Sequence, residues 1–384
     1  MGAIVMAQSM RVDQLKLGSR LATDIYETGP DGRQVLLYAA GQVIHSEWQL
    51  NRLIEAGMAV VKVAPDSIRE QLTPEVDAQL ASRLMNQRQS VDEARPAEAA
   101  AESGLLDLYR QVQDNGRPDL EAMSGHAAWI ASAGRENPEL LDVLALLREA
   151  SATTYRHSQN VASLALRVTL VRQPQAGDEE LRRVVLAGLL HDIGLLHCAP
   201  LEQLNHDEVD ETAEIYRHHT DFGVEIIEEM PGVAGEVRRA VAEHHERLNG
   251  NGFPQGLSGA DLHPLAELIG LCDTYERLTH GLSYRRALSP VAALNLIQGW
   301  ARREFHEELI LDFTRAIGPW PLGAFVELES GLRGRVCSRV NPFAPTVACR
   351  GREGLLLVDC AREGLNVRRG VAPGQADIHP TEIF

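Results

Sequence analysis

The sequence predicts a mainly α protein: a central helical bundle at 139–318, preceded by a small α+β module at 1–65 and a helical linker at 66–138, and followed by a small β-rich appendage at 319–384. Periodicity carries most of this reading. Between Glu139 and Gly318 apolar residues recur at helical spacing, and long strand patterns are missing. Short β-leaning runs separated by Gly, Asn and Pro occur instead before residue 65 and after Trp320. Size and composition agree: 384 residues, 44% hydrophobic and 24% charged, are ordinary globular values and allow two or three domains of roughly 150 residues each.

In the first module, Gly29-Pro30-Asp31-Gly32 is turn chemistry and Gln34–Tyr38 then reads as a strand. Ser46 can cap a helix with Leu50, Leu53 and Ile54 on one face, Gly57 stops it, and Met58–Val63 reads as the next strand. The linker is polar and weakly patterned, which predicts loosely packed, partly mobile helices. It holds the Ala/Glu run Ala94–Glu102 and breakers at Gly116-Arg117-Pro118 and Gly134. Five or more helices are expected in the central unit. In the tail, Ala324–Glu329, Gly334–Val340 and Leu355–Asp359 read as strands.

Charge narrows the function. The 37 Lys+Arg against 54 Asp+Glu give a net charge of −17, which argues against a nucleic-acid polymer as partner, because affinity for a polyanion comes largely from basic side chains. An anionic small substrate needs a local reversal of sign, such as a metal ion supplies. The apolar stretch Val184–Leu190 is far below the roughly 20 residues that cross a bilayer, so no membrane partner is expected. Met1–Ala7 lacks the basic n-region and long apolar core of a signal peptide. The five cysteines form no C-x-x-C pair, and Cys198 and Cys272 read as small buried hydrophobes. Reduced thiols in a cytoplasmic protein are the simplest reading.

Histidine is unevenly spread: nine of fourteen lie between His191 and His280, and His157 precedes them. His157, Val161, Leu164, Val168 and Val171 share one helical face. Val184, Gly188 and His191 form a second stripe with Asp192 next to it, and His219, Gly223, Ile226 and Met230 a third. Val237, Val241 and His244 form a fourth, with His245 adjacent; Leu265, Ile269, Cys272/Asp273 and Glu276 form the fifth. Each stripe thus carries a His or Asp on or beside its inward face. Such groups are costly to bury singly and stable together if they share a metal. Imidazole and carboxylate without a thiolate pair suit Fe, Mn, Zn or Ni rather than a structural Cys-type zinc site. After His244-His245, the run Gly250-Asn251-Gly252-Phe253-Pro254 makes a tight loop, placed to form a substrate rim or a partner-docking surface.

These motifs resemble those of the HD-GYP family, bacterial HD-superfamily phosphodiesterases that open cyclic di-GMP. HDIG (191–194), HHT-x-x-G (218–223) and HHERLNGNGFP (244–254) are its marks, with YRHSQNVA (155–162) and CDTYERL (272–278) in the expected order. RVDQLKLGSRL and the module up to Val63 are similar to the uncharacterised domain often found ahead of such units. WPLGAFVELESGLRGRV is similar to the small β segment often following them. The resemblance implies an HD-superfamily helical bundle and a metal-dependent phosphodiesterase domain at 139–318. It further implies the ligands His157, His191, Asp192, His219, His244, His245 and Asp273 for two divalent ions, Fe or Mn. Asp192 would bridge them, and His191 and Asp192 would be central to catalysis. The implied substrate is cyclic di-GMP, opened to pGpG and then to GMP. Arg285, Gly250, Gly252, Phe253 and Pro254 are the implied substrate contacts, and a homodimer is compatible with the pattern.

The departures are specific. Leu195 stands where the family has Lys, and Leu282 where it has the Arg of Arg-Pro-Tyr. Phe253 replaces a Tyr, Glu276 replaces a second Asp, and Thr153 replaces the Glu that holds a third metal in some members. One charge-assisted phosphate contact is worth about 1.5–3 kcal/mol, roughly 10- to 150-fold, so the double loss predicts a slow enzyme with its ligands intact. A Lys restored at position 195 is expected to reach a bound phosphate. The alternative readings are a non-hydrolysing cyclic di-GMP receptor or protein-docking module, and an HD phosphohydrolase acting on another nucleotide.

Overall fold

The computed structural model describes residues 8–12, 15, 21–28, 34–38, 44, 47–63, 74–115, 120–147, 154–198, 214–280, 287–339, 341, 343–351, 354–371 and 378. Near the N-terminus, β1 (Gln8–Arg11) pairs antiparallel with β4 (Val60–Val63), and β2 (Ile25–Thr28) with β3 (Gln34–Tyr38). Between the pairs runs α1 (Glu47–Glu55). Leu53 of this helix is buried in the module's own core with Ile25, Tyr38 and Val61, whereas Ile54, expected on the same face, is exposed. Gly57 closes the helix at φ 74°. The Gly29–Gly32 turn and Ser46 lie outside the described residues.

The linker expectation needs correction. Residues Pro74–Asn115 form one 42-residue helix, α2, which contains the Ala/Glu run. After it comes α3 (Leu120–Glu136). Leu108, Tyr109 and Val112 of α2 and Met123, Ala127, Ile130 and Ala131 of α3 are buried in the same core as the central helices. This half is therefore a packed layer of the bundle. Gly134 is not a breaker but lies inside α3, where the side chains of Leu166 and Leu141 fill the space a Cβ would take.

The bundle continues with α4 (Pro138–Leu147), α5 (Thr154–Arg172), α6 (Asp178–Leu190) and a 3-10 turn at Ile193–His197. Then follow α7 (Glu214–Arg217), α8 (His219–Glu228), α9 (Gly235–Glu243), α10 (Pro264–His280), α11 (Pro290–Gln298) and α12 (Glu307–Ile317). Local chemistry marks several ends. The Ser289 hydroxyl accepts the Ala292 N–H at 3.2 Å and Pro290 opens α11, while Gly318 ends α12 at φ 76°. Val161, Ala165 and Val168 of α5 are fully buried, but Val171, placed by spacing on the same stripe, is exposed at the helix end.

The C-terminal strands form one antiparallel sheet in the order β8-β7-β6-β5-β9. They are β5 (Phe325–Leu328), β6 (Arg333–Ser338), β7 (Thr346–Gly351), β8 (Gly354–Asp359) and β9 (Val367–Gly370). A short helix, α13 (Cys360–Glu363), precedes β9. Alternation sorts the two faces: Val326, Val336, Val347 and Val358 form the sheet's own core, and Cys337 and Ala348 pack against Leu140, Val143 and Leu144 of α4. Buried Arg339 fastens this contact, its guanidinium 2.6 Å from Asp142 and its backbone N–H donating to the Glu139 carboxylate at 3.1 Å. The five cysteines are free thiols. Among the described residues no helix is long and apolar enough to cross a membrane.

Candidate metal centre

Helix ends deliver most of the expected ligands. His157 stands in the first turn of α5, His191 and Asp192 directly follow α6, and His219 opens α8. His244 and His245 directly follow α9, and Asp273 sits within α10. His191, Asp192, His219 and His244 are fully buried, and His245 lies at the rim with 9% exposure. The neighbouring His218 faces solvent. Gly194 makes the approach of α8 possible: a Cβ there would fall 1.8 Å from the His219 carbonyl oxygen and 2.5 Å from the Gly223 nitrogen.

The imidazoles are oriented by their Nδ1 atoms. His191 donates Nδ1–H to the Gly188 carbonyl at 2.7 Å, His244 to Val241 at 2.9 Å, and His219 to Tyr216. A carbonyl can only accept, so the proton of each ring in its neutral form sits on Nδ1 and leaves Nε2 turned to the interior as a donor atom, the tautomer a metal requires. His157 is set by a carboxylate instead, with Nδ1 2.5 Å from Glu276, which Asn160 also holds at 3.1 Å.

The ligand atoms of Asp192, His219, His244 and His245 lie within 4.8 Å of one another, as do those of His157, His191, Asp192 and Asp273. Asp192 belongs to both groups and gives one oxygen to each. Its Oδ1 lies 3.3 and 3.4 Å from Nε2 of His219 and His244; its Oδ2 lies 3.4 and 3.7 Å from Nε2 of His191 and His157. The donor set fits divalent cations. The Nε2 atoms of His219 and His244 face each other at 3.3 Å with both ring protons committed to carbonyls. With both rings neutral, two lone pairs oppose each other there, and a cation between them removes the repulsion.

Electrostatics favour the ligand forms of His244, His245 and Asp273. Burial pushes His244 down to about 4 and, together with His244 and His219 nearby, holds His245 well below the usual imidazole range. Both are neutral at neutral pH. Burial would raise Asp273, but the Arg277 guanidinium together with His157 and His191 outweighs it and holds the carboxyl well below the usual range. Burial disfavours the His157 imidazolium, yet Glu276 and Asp273 overcome this and, without a cation, push it up to about 10.

Several neighbours are not evident from the sequence pattern. Arg277, one turn after Asp273, donates Nε–H to Asp273 at 2.5 Å and Nη2–H to Asp192 at 3.0 Å. Tyr216 is buried beside His219 and His245, at ring distances of 4.7 and 5.8 Å. Phe253 stacks on His245 at 4.5 Å, with the Arg217 guanidinium 4.9 Å over its ring. The loop of Gly250, Gly252 and Pro254 is held from below by buried Glu246, whose carboxylate accepts the N–H groups of Gln255, Gly256 and Leu257 at 2.7, 3.0 and 2.9 Å. Of this loop, Phe253 reaches a ligand side chain. Leu195 is 1% exposed in the apolar core, which overturns the expectation that a Lys there would reach a phosphate. Thr153, Leu282 and Arg285 lie outside the described residues.

Residues 143–309 match the HD domain family. A cyclic di-GMP phosphodiesterase of Pseudomonas aeruginosa is 30% identical over 238 residues, covering 62% of this chain and 56% of that protein. A 3'3'-cGAMP-specific phosphodiesterase of Vibrio cholerae is 33% identical over 159 residues, covering 38% of this chain and 34% of that protein. The chain thus spans about half or less of these relatives' own lengths. Among solved structures, an HDG"Y"P protein from Bdellovibrio bacteriovorus aligns with a TM-score of 0.48 at 18% identity, over 81% of this chain and 99% of that one.

Proposed function

We propose that this chain is a cytoplasmic bacterial phosphodiesterase that opens cyclic di-GMP to pGpG, with GMP as a second product. The observation that carries the proposal is the pair of ligand groups joined by Asp192, one carboxylate oxygen turned to each. His157, His191, Asp192 and Asp273 would hold one ion, and Asp192, His219, His244 and His245 the other, as Fe(II) or Mn(II). Two bound divalent ions supply an activated water and Lewis acidity at phosphorus.

The chain's own residues do the rest. The carbonyls of Gly188, Tyr216 and Val241 keep three imidazoles in the ligand tautomer, and Glu276 does so for His157. Phe253, stacked on His245, offers a flat aromatic wall at the rim for the nucleotide. Glu246, by accepting the N–H groups of Gln255, Gly256 and Leu257, fixes the loop in which Gly250, Gly252 and Pro254 are the further proposed substrate contacts. Arg285 is proposed as a further substrate contact.

A second reading, a receptor that binds cyclic di-GMP without opening it or docks a protein through the Gly250–Pro254 loop, draws support from Leu195 lying in the apolar core. Incubation of the anaerobically Mn-loaded protein with cyclic di-GMP, and in parallel with 3'3'-cGAMP, decides between them by product chromatography. Appearance of pGpG is the expected result. Micromolar binding without turnover would favour the receptor, and turnover of 3'3'-cGAMP alone would change the substrate.

A further inference from the structure

The geometry points to Arg277 as the residue that binds the phosphodiester of the cyclic dinucleotide, supplying from α10 the positive charge that position 195 lacks. The inference rests on the reading above and adds a substrate contact to it. Arg277 is buried to 7% exposure, and its guanidinium grips Asp192 and Asp273 at 3.0 and 2.5 Å, one carboxylate shared by both ligand groups and one in the His157 group. A guanidinium cannot shed its proton, so it stays cationic at this depth.

Its placement is on the substrate side. The guanidinium lies 5.7 Å over the Tyr216 ring, and Tyr216 in turn packs against His245 and Phe253 at 5.8 and 6.5 Å. His245 and Phe253 are the more exposed of these side chains, Tyr216 is buried beneath them, and His191 and His244 are fully buried. Divalent ions would claim the carboxylate lone pairs that Arg277 now uses and would repel its charge. The partner that satisfies both is an anion set between them, and the planar fork of Arg matches two phosphate oxygens. No cation can come from position 195, because Leu195 is part of the core. The competing role is a plain counter-ion: a guanidinium that only neutralises Asp192 and Asp273 and never meets substrate.

The test uses the full chain, Mn-loaded anaerobically, and the bis-phosphorothioate analogue of cyclic di-GMP, which resists opening. Calorimetry gives its affinity, and elemental analysis gives Mn per chain. Arg277→Met is expected to keep the wild-type Mn content and lose about 10- to 150-fold in affinity, with Arg277→Lys recovering part of it. Equal affinity in Arg277→Met at equal Mn content overturns the inference alone. Loss of Mn in parallel with affinity assigns Arg277 the counter-ion role and also overturns it. Failure of the wild type to bind the analogue overturns the cyclic di-GMP reading and this inference with it. If Arg277→Met does not fold, methylglyoxal labelling of the wild type, mapped by mass spectrometry, replaces it. Modification of Arg277 that the analogue blocks is the expected result, and no modification, or modification the analogue leaves unchanged, overturns the inference.

Discussion

At the scale of single residues, the centre depends on groups that touch no ion as much as on those that would. Glu276 accepts from His157 Nδ1 and is itself held by Asn160, so it fixes both the tautomer and the tilt of that ring. Glu276→Ala is expected to weaken metal binding about 10- to 100-fold, measured by competition with a chelating dye. Leu195→Lys is expected to lower stability by about 3 kcal/mol or more, because it buries an unpaired charge in the core. That is a fall in melting temperature of roughly 6–12 °C, with no gain in hydrolysis. That five helical stripes each carry a His or Asp on or beside the inward face was legible in the sequence, because such groups conflict with burial unless they meet one another. The set of seven candidate ligands came from the motif resemblance. Arg277 was not legible, since an Arg one turn after an Asp looks the same on an exposed face as in a buried one. Leu195 was misplaced for the same reason: a motif position gives the sequence neighbour of Gly194 but not the face on which its side chain packs.

Among elements, the short backbone connections carry the precision of the site. The turn after Asp192 lies against α8 through Gly194, and the loop after His245 folds over the Glu246 carboxylate. Hydrogen bonds to a buried charge are worth about 1.5–3 kcal/mol each. Glu246→Ala is therefore expected to speed amide exchange at Gln255, Gly256 and Leu257 by at least about 100-fold, read by hydrogen–deuterium exchange, while exchange within α5 and α6 stays as in the wild type. The helices of the centre were evident from their 3.6-residue stripes. The α3 helix was underestimated because its buried residues include Ala127, Ala131 and Gly134, which carry little hydropathy but allow close packing. β7 and β9 were not read as strands in the sequence, and their pairing in the sheet is what marks them. On α2, Tyr109 sets its hydroxyl 3.3 Å from Ser158 and 3.4 Å from the Leu189 carbonyl, next to His157 and close to His191. A helix expected to be a loose tether thus buttresses the metal centre.

For the whole molecule, one core runs from α2 to α12, and the sheet is locked to α4 through Arg339. Under the proposed function, an acidic chain of net charge −17 would receive an anionic dinucleotide where bound cations and Arg277 reverse the local sign. Ions that bind the folded state alone stabilise it: one site at a hundred times its Kd adds about 2.7 kcal/mol. Mn loading is therefore expected to raise the melting temperature by roughly 5–10 °C, and a chelator to reverse the rise. The central claim is that seven side chains hold two ions through Asp192, and the metal-to-protein ratio of the anaerobically loaded full chain tests it most directly. The account predicts about two ions per chain in the wild type and less than one in Asp192→Ala; less than one in the wild type, or an unchanged ratio in Asp192→Ala, would contradict it.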